Sequence, residues 1–364
     1  MEFAIELPGS LPSSSQVLIG RDIASEFSQS LKSQLKDRVA YWIWDDKVVR
    51  LWQDRLKEAP WFAAETGRQL RFHAAEANKR LTTIERLASQ LLELGADRGS
   101  TLIAVGGGVT GDVVGFLASV YLRGIPHIQV PTTLLAQVDS SIGGKNGVDL
   151  EEGKNLIGAF HQPQLIWMDL QFLETLPPEE FRQGMAEVIK TAMIGDEALW
   201  DYLEANREPL KHRRSEALYR IVSDCCKLKA KVVQLDERES GHRRVLNLGH
   251  TVGHALEKLS GYEIRHGDAV AIGLVAAAKL SVSLGRFDAR DLMHLERLCQ
   301  AWELPVRVPS QFPPEAVLAA MQTDKKYIRG RLHFVLPVRI GETVDYDELS
   351  EKHLGEIIGQ LRDG

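Results

Sequence analysis

The sequence predicts an α/β fold in two domains, the first built around a mostly parallel sheet and the second mostly α-helical. Short β-rich runs alternate with helical stretches up to about residue 169, which is the pattern of consecutive βαβ units. Beyond residue 177 the apolar residues recur at helical spacing over longer stretches. A chain of 364 residues is long enough for about two domains of roughly 150 residues each. We therefore expect one domain over residues 1–177 and a second over 178–364.

The individual elements follow from the spacing of apolar residues. The predicted strands of the first half cover residues 39–44, 101–105, 127–130 and 165–168, and helices between them cover 80–94 and 112–121. The predicted helices of the second half cover 182–194, 216–234, 248–259, 269–284 and 288–302, and two short strands cover 331–336 and 343–345. Gly195, Gly261 and Gly285 stand just past three of these helices, where a left-handed residue commonly ends a helix.

Composition and charge exclude several classes of protein. Hydrophobic residues make up 44% of the chain and charged residues 26%, as in globular rather than disordered or collagen-like proteins. The net charge of −6 lacks the basic surplus of proteins that bind nucleic acid or anionic membranes. Three cysteines without a CxxC pair indicate a reducing compartment. The first ten residues lack a signal-peptide pattern, and the longest apolar run, 269–278, is shorter than the roughly 18 residues of a membrane span. We expect a cytoplasmic protein.

A glycine-rich segment follows the predicted strand 101–105. Gly106, Gly107 and Gly108 would let backbone N–H groups approach a pyrophosphate at the start of the next helix. The segment does not match GxGxxG, and a plain tight turn between strand and helix explains it equally well. Thr132 and Thr133 follow the next strand, where they either contact the same ligand or form a turn.

Two neighbouring segments, 139–148 and 153–155, combine lysines with glycines and asparagines. Lys145, Lys154 and Asn155 are of the types that recognise phosphate or carboxylate. Gly143 and Gly144 beside Lys145 allow an anion to approach the backbone. A solvated loop with surface lysines is the alternative, and the glycines favour a functional loop.

Glu187 and Lys190 lie three residues apart in a strongly apolar helical segment, so that both project from one face. An ion pair at the helix surface is the default interpretation of such spacing. A buried ion pair or a functional site is the alternative.

Three histidines lie within seventeen positions of the second half. His250 and His254 are separated by one helical turn, and His266 precedes another helix. Three imidazoles are suitable ligands for a catalytic Zn²⁺ with one open position, so spacing alone nominates these three residues. Histidines satisfied by ordinary hydrogen bonds are the alternative.

Taken together, the motifs resemble the 3-dehydroquinate synthase family, of the sugar-phosphate cyclase superfamily, from about residue 45 to residue 337. The segments that carry the resemblance are 106–112, 121–124, 131–141, 143–145, 153–163, 185–190, 246–254, 266–267 and 324–326. The resemblance implies a Rossmann-like parallel-sheet N-terminal domain, a mostly α-helical metal-binding C-terminal domain, and a homodimer.

The resemblance also implies ligand positions. It assigns a divalent metal, Zn²⁺ or Co²⁺, to Glu187, His250 and His266, which replaces the three-histidine site, and it places His254 beside the substrate phosphate. The substrate residues that it implies are Arg123, Asp139, Lys145, Lys154, Asn155, Lys190, Lys229, Arg243, Asn247, His254 and one of Lys325 and Lys326, with Lys325 preferred. The NAD residues that it implies are Asp45, Glu76, Lys79, Gly106, Gly107, Gly108, Val109, Thr110, Gly111, Asp112, Thr132, Thr133, Lys145, Lys154, Phe172, Leu173, Glu174 and Thr175.

Three positions depart from the family pattern. Ala75 replaces a glycine, Asn146 stands where threonine is common, and Lys47 stands where a small polar residue is common. These departures bear on the contacts with the adenosine part of the cofactor.

The activity implied is conversion of 3-deoxy-D-arabino-heptulosonate 7-phosphate, a sugar-acid phosphate, to 3-dehydroquinate and phosphate, the second step of the shikimate pathway to chorismate. NAD would oxidise C5 transiently, phosphate would leave by β-elimination, and re-reduction and intramolecular aldol closure would follow. Three alternatives stay open: another sugar-phosphate cyclase, a metal-dependent NAD polyol or alcohol dehydrogenase, and an inactive binding protein. The intact substrate positions favour the 3-dehydroquinate synthase interpretation.

Overall fold

The computed structural model describes residues 2–7, 13–57, 68–322, 327–328, 331–347 and 349–362. The chain divides into two compact units. The first comprises Met1–Pro177 and Arg213–Glu237, and the second comprises Pro178–His212 and Arg238–Gly364. This division and the sequence-based boundary at residue 177 differ over Arg213–Glu237, a segment that packs with the first unit.

Parallel strands form the centre of the first unit. Its described strands are β1 (Glu2–Leu7), β2 (Ser13–Gly20), β3 (Val39–Asp45), β4 (Gln69–Phe72), β5 (Ser100–Gly106), β6 (His127–Pro131), β7 (Lys145–Leu150), β8 (Gly153–Phe160) and β9 (Leu165–Asp169). Seven of them make one sheet in the order β1-β2-β9-β6-β5-β3-β4. Only β1 is antiparallel to its neighbour in that sheet. All four strands predicted for the first half are present, which confirms the α/β prediction.

Helices occupy the connections of the first unit and most of the second. The described α-helices are α1 (Ala24–Leu35), α2 (Asp46–Lys57), α3 (Leu81–Glu93), α4 (Gly108–Val120), α5 (Pro178–Gly195), α6 (Glu197–Ala205), α7 (Arg207–Lys211), α8 (Ser215–Leu235), α9 (His250–Leu259), α10 (His266–Ser283), α11 (Ala289–Ala301), α12 (Pro314–Gln322) and α13 (Glu351–Leu361). Of these, α1 to α4 and α8 belong to the first unit. The second unit adds two short antiparallel ladders, formed by β10 (Tyr327–Ile328) with β11 (Arg331–Leu332) and by β12 (Phe334–Arg339) with β13 (Glu342–Tyr346).

The sheet is buried on both faces. Successive residues of a strand point to opposite sides, and in β3 Trp42 and Trp44 join one apolar cluster while Tyr41 and Ile43 join the other. Trp42 packs edge-on against Phe27, whose ring centroid is 6.2 Å away. Burial on both faces explains why these strands are continuous apolar runs, as is usual for parallel sheets covered by helices.

Left-handed glycines follow the helix ends at two of the three positions that the sequence predicts. Gly261 (φ 61°) and Gly285 (φ 68°) are left-handed, just past α9 and α10. Gly195 is instead the last residue of α5. No helix in the described ranges is both long enough and apolar enough to cross a membrane.

His127 in β6 predicts a dependence of stability on pH. Its side chain is fully buried and stacks on His161, with ring centroids 5.1 Å apart. Neither ring nitrogen has a hydrogen-bond partner in the described part of the chain. Burial, with a smaller contribution from His161, lowers the pKa of His127 from 6.5 to about 3. Between those two pH values the unfolded chain binds a proton here that the folded chain does not, so the unfolding free energy falls as the solution becomes more acid.

We expect His127→Phe to flatten the pH dependence of the unfolding free energy between about pH 6 and pH 4, by up to roughly 1.4 kcal/mol per pH unit. Urea unfolding at several pH values measures this slope. The control is His294→Phe, a change at an exposed histidine. An equal slope in His127→Phe and the parent protein would show that His127 does not contribute to acid sensitivity.

Candidate active site

The glycine turn lies at the carboxyl end of β5 in the first unit. Strand β5 ends at Gly106 and helix α4 begins at Gly108. A Cβ atom at Gly106 would overlap the hydroxyl of Thr110, and one at Gly107 would lie 3.0 Å from Cγ2 of Thr133. These glycines therefore allow the strand to turn into the helix within one residue, leaving the first N–H groups of α4 without partners inside the helix. Such N–H groups suit a pyrophosphate.

The remaining residues of this segment are placed by the helix. Val109, Gly111 and Asp112 lie in the first turns of α4, where the N–H of Gly111 donates to the carbonyl of Gly107 (3.1 Å). The N–H of Thr132 donates to the carbonyl of Gly106 (2.9 Å). The structure thus brings together the predicted NAD residues that follow β5 and β6.

Lys79 connects the glycine turn to the lysine-rich segment. Its side chain is buried, and its Nζ lies 2.5 Å from Oδ2 of Asp112 and 2.6 Å from Oδ1 of Asn155. Burial lowers the pKa of Lys79, but the carboxylates of Asp112, Glu76 and Asp149 together outweigh burial and hold this pKa above its ordinary value. Lys79 therefore stays charged and holds together a residue predicted to bind NAD and one predicted to bind substrate. Glu76 also contacts the lysine-rich segment, because its Oε1 lies 3.4 Å from Nζ of Lys154.

The lysine-rich segment is a hairpin, which corrects the expectation of loops. Strands β7 and β8 pair antiparallel, with Lys145 opposite Phe160. Asn155 has a left-handed φ of 53°, and its N–H donates to Oδ1 of Asp149 at 2.7 Å. The N–H of Asp149 in turn donates to the carbonyl of Lys79 at 2.7 Å. Asp149 was missed by sequence reasoning, and it fixes the conformation of Asn155.

Asn146, one of the departures from the family pattern, stabilises this hairpin by hydrogen bonds. Its buried amide donates to the carbonyls of Gly144 (2.9 Å) and His161 (2.8 Å). A Cβ atom at Gly115 of α4 would overlap the amide oxygen of Asn146. The asparagine is therefore accommodated because the facing helix has a glycine at this position.

Other predicted residues of the first unit are used in internal contacts. Lys229 of α8 donates to the carboxylate (2.5 Å) and to the carbonyl (2.6 Å) of Asp139. Asp45 is buried at the end of β3, and burial raises its pKa. Its Oδ1 accepts the backbone N–H of Lys47 (2.9 Å). Lys47, another departure from the family pattern, therefore contacts Asp45 through its backbone. Arg123 is exposed, in the turn Tyr121–Arg123.

The predicted NAD stretch 172–175 forms a 3₁₀ turn after β9. Phe172 and Leu173 are buried, and Phe172 packs on Trp52. Glu174 pairs with Arg21 (2.8 Å), and Oγ1 of Thr175 accepts the indole N–H of Trp52 (2.8 Å). The four side chains therefore fix this turn to the rest of the first unit.

In the second unit, one carboxylate and two imidazoles converge. Glu187 of α5 is fully buried, and its Oε1 lies 3.1 Å from Nε2 of His266 and 3.7 Å from Nε2 of His250. The three ligand atoms all lie within 4.8 Å of one another. Two ligand atoms that each lie about 2.1 Å from one tetrahedral metal ion are about 3.4 Å apart. The distances of 3.1 Å and 3.7 Å from Glu187 to the two imidazoles are close to this value, so this group fits a divalent cation.

The electrostatics of this group also favour a cation. Burial lowers the pKa of His266, but its hydrogen bonds with Glu187 and Glu257 outweigh burial and raise the pKa to about 10. Burial raises the pKa of Glu187, but Lys190 and His266 outweigh it and hold this pKa well below its usual range. The carboxylate therefore stays ionised, as a metal ligand must.

The pair Glu187–Lys190 is not at the helix surface, so the default interpretation of its spacing is wrong. Nζ of Lys190 lies 2.5 Å from Oε2 of Glu187, and their side chains are 2% and 0% exposed. Removing one partner of a fully buried charge pair strongly destabilises the protein, because the other charge is left buried and unpaired. The alternative interpretation, a buried pair or site, is the one that the structure supports.

The three-histidine site is not formed. In the described ranges, two groups of His, Cys, Asp or Glu bring three ligand atoms this close, namely Glu187–His250–His266 and His254–Glu257–His266. Both contain a glutamate, and neither contains both His250 and His254. His254 is exposed, with its ring centroid 5.2 Å from that of His250.

Backbone contacts between α9 and α10 bring His250 and His266 together. Gly249, just before α9, has φ 78°, and a Cβ atom there would lie 2.9 Å from the backbone nitrogen of Leu274. A Cβ atom at Gly253 would lie 3.0 Å from the carbonyl oxygen of Ala269. The glycines let the two helices approach closely, and their first residues carry the two histidines.

Four further residues named in the sequence-based prediction remain. Arg243 is buried in the turn His242–Asn247, and Asn247 donates from Nδ2 to Oε1 of Glu239 (2.8 Å). Lys325 and Lys326 lie outside the described residues.

Comparison with known proteins gives one consistent result over most of the chain. A family model described as 3-dehydroquinate synthase N-terminal matches residues 69–183, and one described as 3-dehydroquinate synthase C-terminal matches residues 184–327. A 3-dehydroquinate synthase from Desulforamulus reducens is 40% identical over 345 residues, which are 94% of this chain and 96% of the relative.

Two solved structures are similar throughout. A 2-epi-5-epi-valiolone synthase from Streptomyces hygroscopicus subsp. jinggangensis, with NAD⁺ and Zn²⁺ bound, has a TM-score of 0.87 at 25% identity and covers 98% of both chains. A 2-deoxy-scyllo-inosose synthase complexed with carbaglucose-6-phosphate, NAD⁺ and Co²⁺ has a TM-score of 0.86 at 26% identity, over 99% of this chain and 100% of the other.

Proposed function

This chain belongs to the 3-dehydroquinate synthase family, and we propose that it converts 3-deoxy-D-arabino-heptulosonate 7-phosphate to 3-dehydroquinate and phosphate. The observation that carries the proposal is the buried group of Glu187, His250 and His266 with Lys190 against it. Burying such charges has a large desolvation cost, which a bound cation would offset at this group. The activity is that of a lyase-type cyclase that eliminates phosphate.

Sequence identity favours this reaction over that of another cyclase. The relative named as a 3-dehydroquinate synthase is 40% identical over nearly the whole chain. The two similar structures named for other cyclase products are 25% and 26% identical. The substrate that we assign is therefore the heptulosonate phosphate rather than another sugar phosphate.

We assign Zn²⁺ or Co²⁺ to Glu187, His250 and His266, and NAD to the glycine turn that begins at Gly106. When bound, the metal polarises substrate hydroxyls as a Lewis acid, and the nicotinamide accepts and returns a hydride. The support for the NAD assignment is the position of the turn, which joins the end of a parallel strand directly to the N-terminus of α4, where free N–H groups suit a pyrophosphate.

The chain's own residues then bind and orient the substrate. Lys190, fixed beside Glu187, stabilises negative charge that develops on a substrate oxygen. Lys154 and Asn155 on the hairpin, with Arg243, bind the phosphate, and Lys145 binds hydroxyls. Lys229, held by Asp139, contacts the carboxylate end. His254, exposed one turn after His250, passes a proton to the departing phosphate. Positioning and fixed charge of this kind supply much of the rate enhancement.

A homodimer in the cytoplasm belongs to the proposal as well. Both rest on the family to which the chain belongs. Sedimentation equilibrium of the purified protein tests the oligomeric state, for which we expect twice the chain mass of 40.6 kDa.

The test of the proposed reaction is an assay of the purified protein with Co²⁺, substrate and a small amount of NAD⁺. We expect phosphate and 3-dehydroquinate to form in equal amounts, over many turnovers per NAD⁺. NADH that accumulates in step with substrate consumption would indicate a dehydrogenase. A different carbocyclic product would indicate another cyclase.

A further inference from the structure

The side chain of Glu257 faces the metal ligand His266 from the side opposite Glu187. Oε2 of Glu257 lies 3.3 Å from Nδ1 of His266, and Oε1 of Glu187 lies 3.1 Å from Nε2 of the same ring. The two ring nitrogens of one imidazole thus face two different carboxylates. Glu257 is 3% exposed.

A neutral imidazole carries one N–H, and its position decides which nitrogen can bind a metal. The nitrogen that faces Glu187 must be free of its proton if His266 is to act as a ligand there. The proton then lies on Nδ1, where the Glu257 carboxylate can accept it. A carboxylate in this position fixes the tautomer and the orientation of a ligating histidine.

The backbone of Glu257 is fixed as well. Its carbonyl accepts the N–H of Tyr262 (2.7 Å) and the hydroxyl of Ser260 (2.9 Å). That hydroxyl accepts the N–H of Ile264 (3.1 Å). The turn between α9 and α10 is therefore tied to Glu257 just before His266 begins α10.

On this geometry we infer that Glu257 is a positioning residue that holds His266 with Nδ1 protonated and Nε2 directed at the metal. The inference rests on the proposed function, because it presupposes a metal bound by Glu187, His250 and His266. One helix, α9, then contributes both a ligand, His250, and, two turns later, the residue that orients the ligand of the next helix.

Another role for Glu257 makes a different prediction. His254, Glu257 and His266 also bring three ligand atoms within 4.8 Å of one another, so this group would be a second metal site if Nδ1 of His266 were the ligand atom. Nδ1 cannot both donate a proton to Glu257 and bind a metal. The number of ions bound per chain therefore distinguishes the two roles.

The test measures Co²⁺ binding without turnover, by competition with a chelator and by the visible spectrum of bound Co²⁺. We expect the parent protein to bind one Co²⁺ per chain, and E257Q to bind it about 10- to 100-fold more weakly with an altered spectrum. The matched control is E263Q, which removes the same charge from an exposed residue six positions away and should leave the affinity and the spectrum unchanged. E257D, which keeps the charge, should recover part of the affinity.

Three results would overturn the inference. In the first, E257Q binds Co²⁺ with the affinity and spectrum of the parent protein. In the second, the parent binds two Co²⁺ per chain and E257Q loses one, which would make Glu257 a ligand. In the third, the parent binds no Co²⁺, which contradicts the metal centre itself and so separates the two failures.

A measurement on the parent protein does not depend on the folding of any variant. Nitrogen NMR of the Zn²⁺ form reports the protonation of each histidine ring nitrogen. We expect a proton on Nδ1 of His266, and a proton on Nε2 would overturn the assignment.

Discussion

Replacing His266 with alanine should abolish metal-dependent turnover, with a loss of about 1,000-fold or more. The metal supplies several kcal/mol of stabilisation to the transition state, and each 1.4 kcal/mol corresponds to a factor of ten in rate. His266 approaches Glu187 more closely than His250 does, at 3.1 Å against 3.7 Å, so its removal should open the metal site. Rates with added Zn²⁺ or Co²⁺, together with the metal content of the purified variant, measure the effect.

His254→Ala provides the matched comparison, since it removes an imidazole from the same cluster. We expect this variant to retain its metal and to eliminate phosphate more slowly. Full activity of His266→Ala in metal-free buffer would reject His266 as a ligand. Loss of metal from His254→Ala would return the assignment to the three histidines that spacing alone nominates.

Gly273→Ala should be the most destabilising small substitution in the second unit. A Cβ atom at Gly273 of α10 would overlap the carbonyl oxygen of Gly249 and lie 2.7 Å from its carbonyl carbon. These are backbone atoms, so the two helices must separate, and overpacking of this kind costs about 3 kcal/mol or more. His250 follows Gly249 directly, and the metal affinity should fall together with the unfolding free energy. Urea unfolding and Co²⁺ titration measure the two effects.

Gly359→Ala makes the same change where there is room. In α13 a Cβ atom would meet Cγ of Pro314 at 3.6 Å, an ordinary contact. A helical alanine should then raise the unfolding free energy by up to about 1 kcal/mol. If Gly273→Ala unfolds at the same urea concentration as the parent protein, α9 and α10 are not held by the backbone contact described above.

The parallel sheet could be predicted from the sequence because its strands are buried on both faces. Residues 102–105 and 165–168 are uninterrupted apolar runs, and the structure places them in β5 and β9. The hairpin of β7 and β8 could not be predicted in this way. Its second strand is largely exposed or half-buried, so lysines, glycines and asparagines conceal any apolar alternation, and backbone pairing determines the structure.

The cluster of Glu187, His250 and His266 could not be predicted from spacing along the chain, for a different reason. Helical spacing identifies residues on one helix, such as His250 and His254, but Glu187 lies 63 positions before His250 in the chain and reaches the group through the packing of α5. The apolar residues around Glu187 indicated burial, and the family resemblance predicted it as a ligand. Asp149 and Glu257 had no such signal, because their roles depend on hydrogen bonds to Asn155 and His266 that only the fold creates.

In the proposed reaction a hydride leaves C5 of the substrate and returns to the same carbon. Substrate labelled with deuterium at C5 tests this directly when the reaction is followed by mass spectrometry of both the product and the cofactor. We expect 3-dehydroquinate that retains the deuterium and free NADH that carries none. Deuterium in accumulating NADH, beside an oxidised product that has lost the label, would show a net dehydrogenation instead.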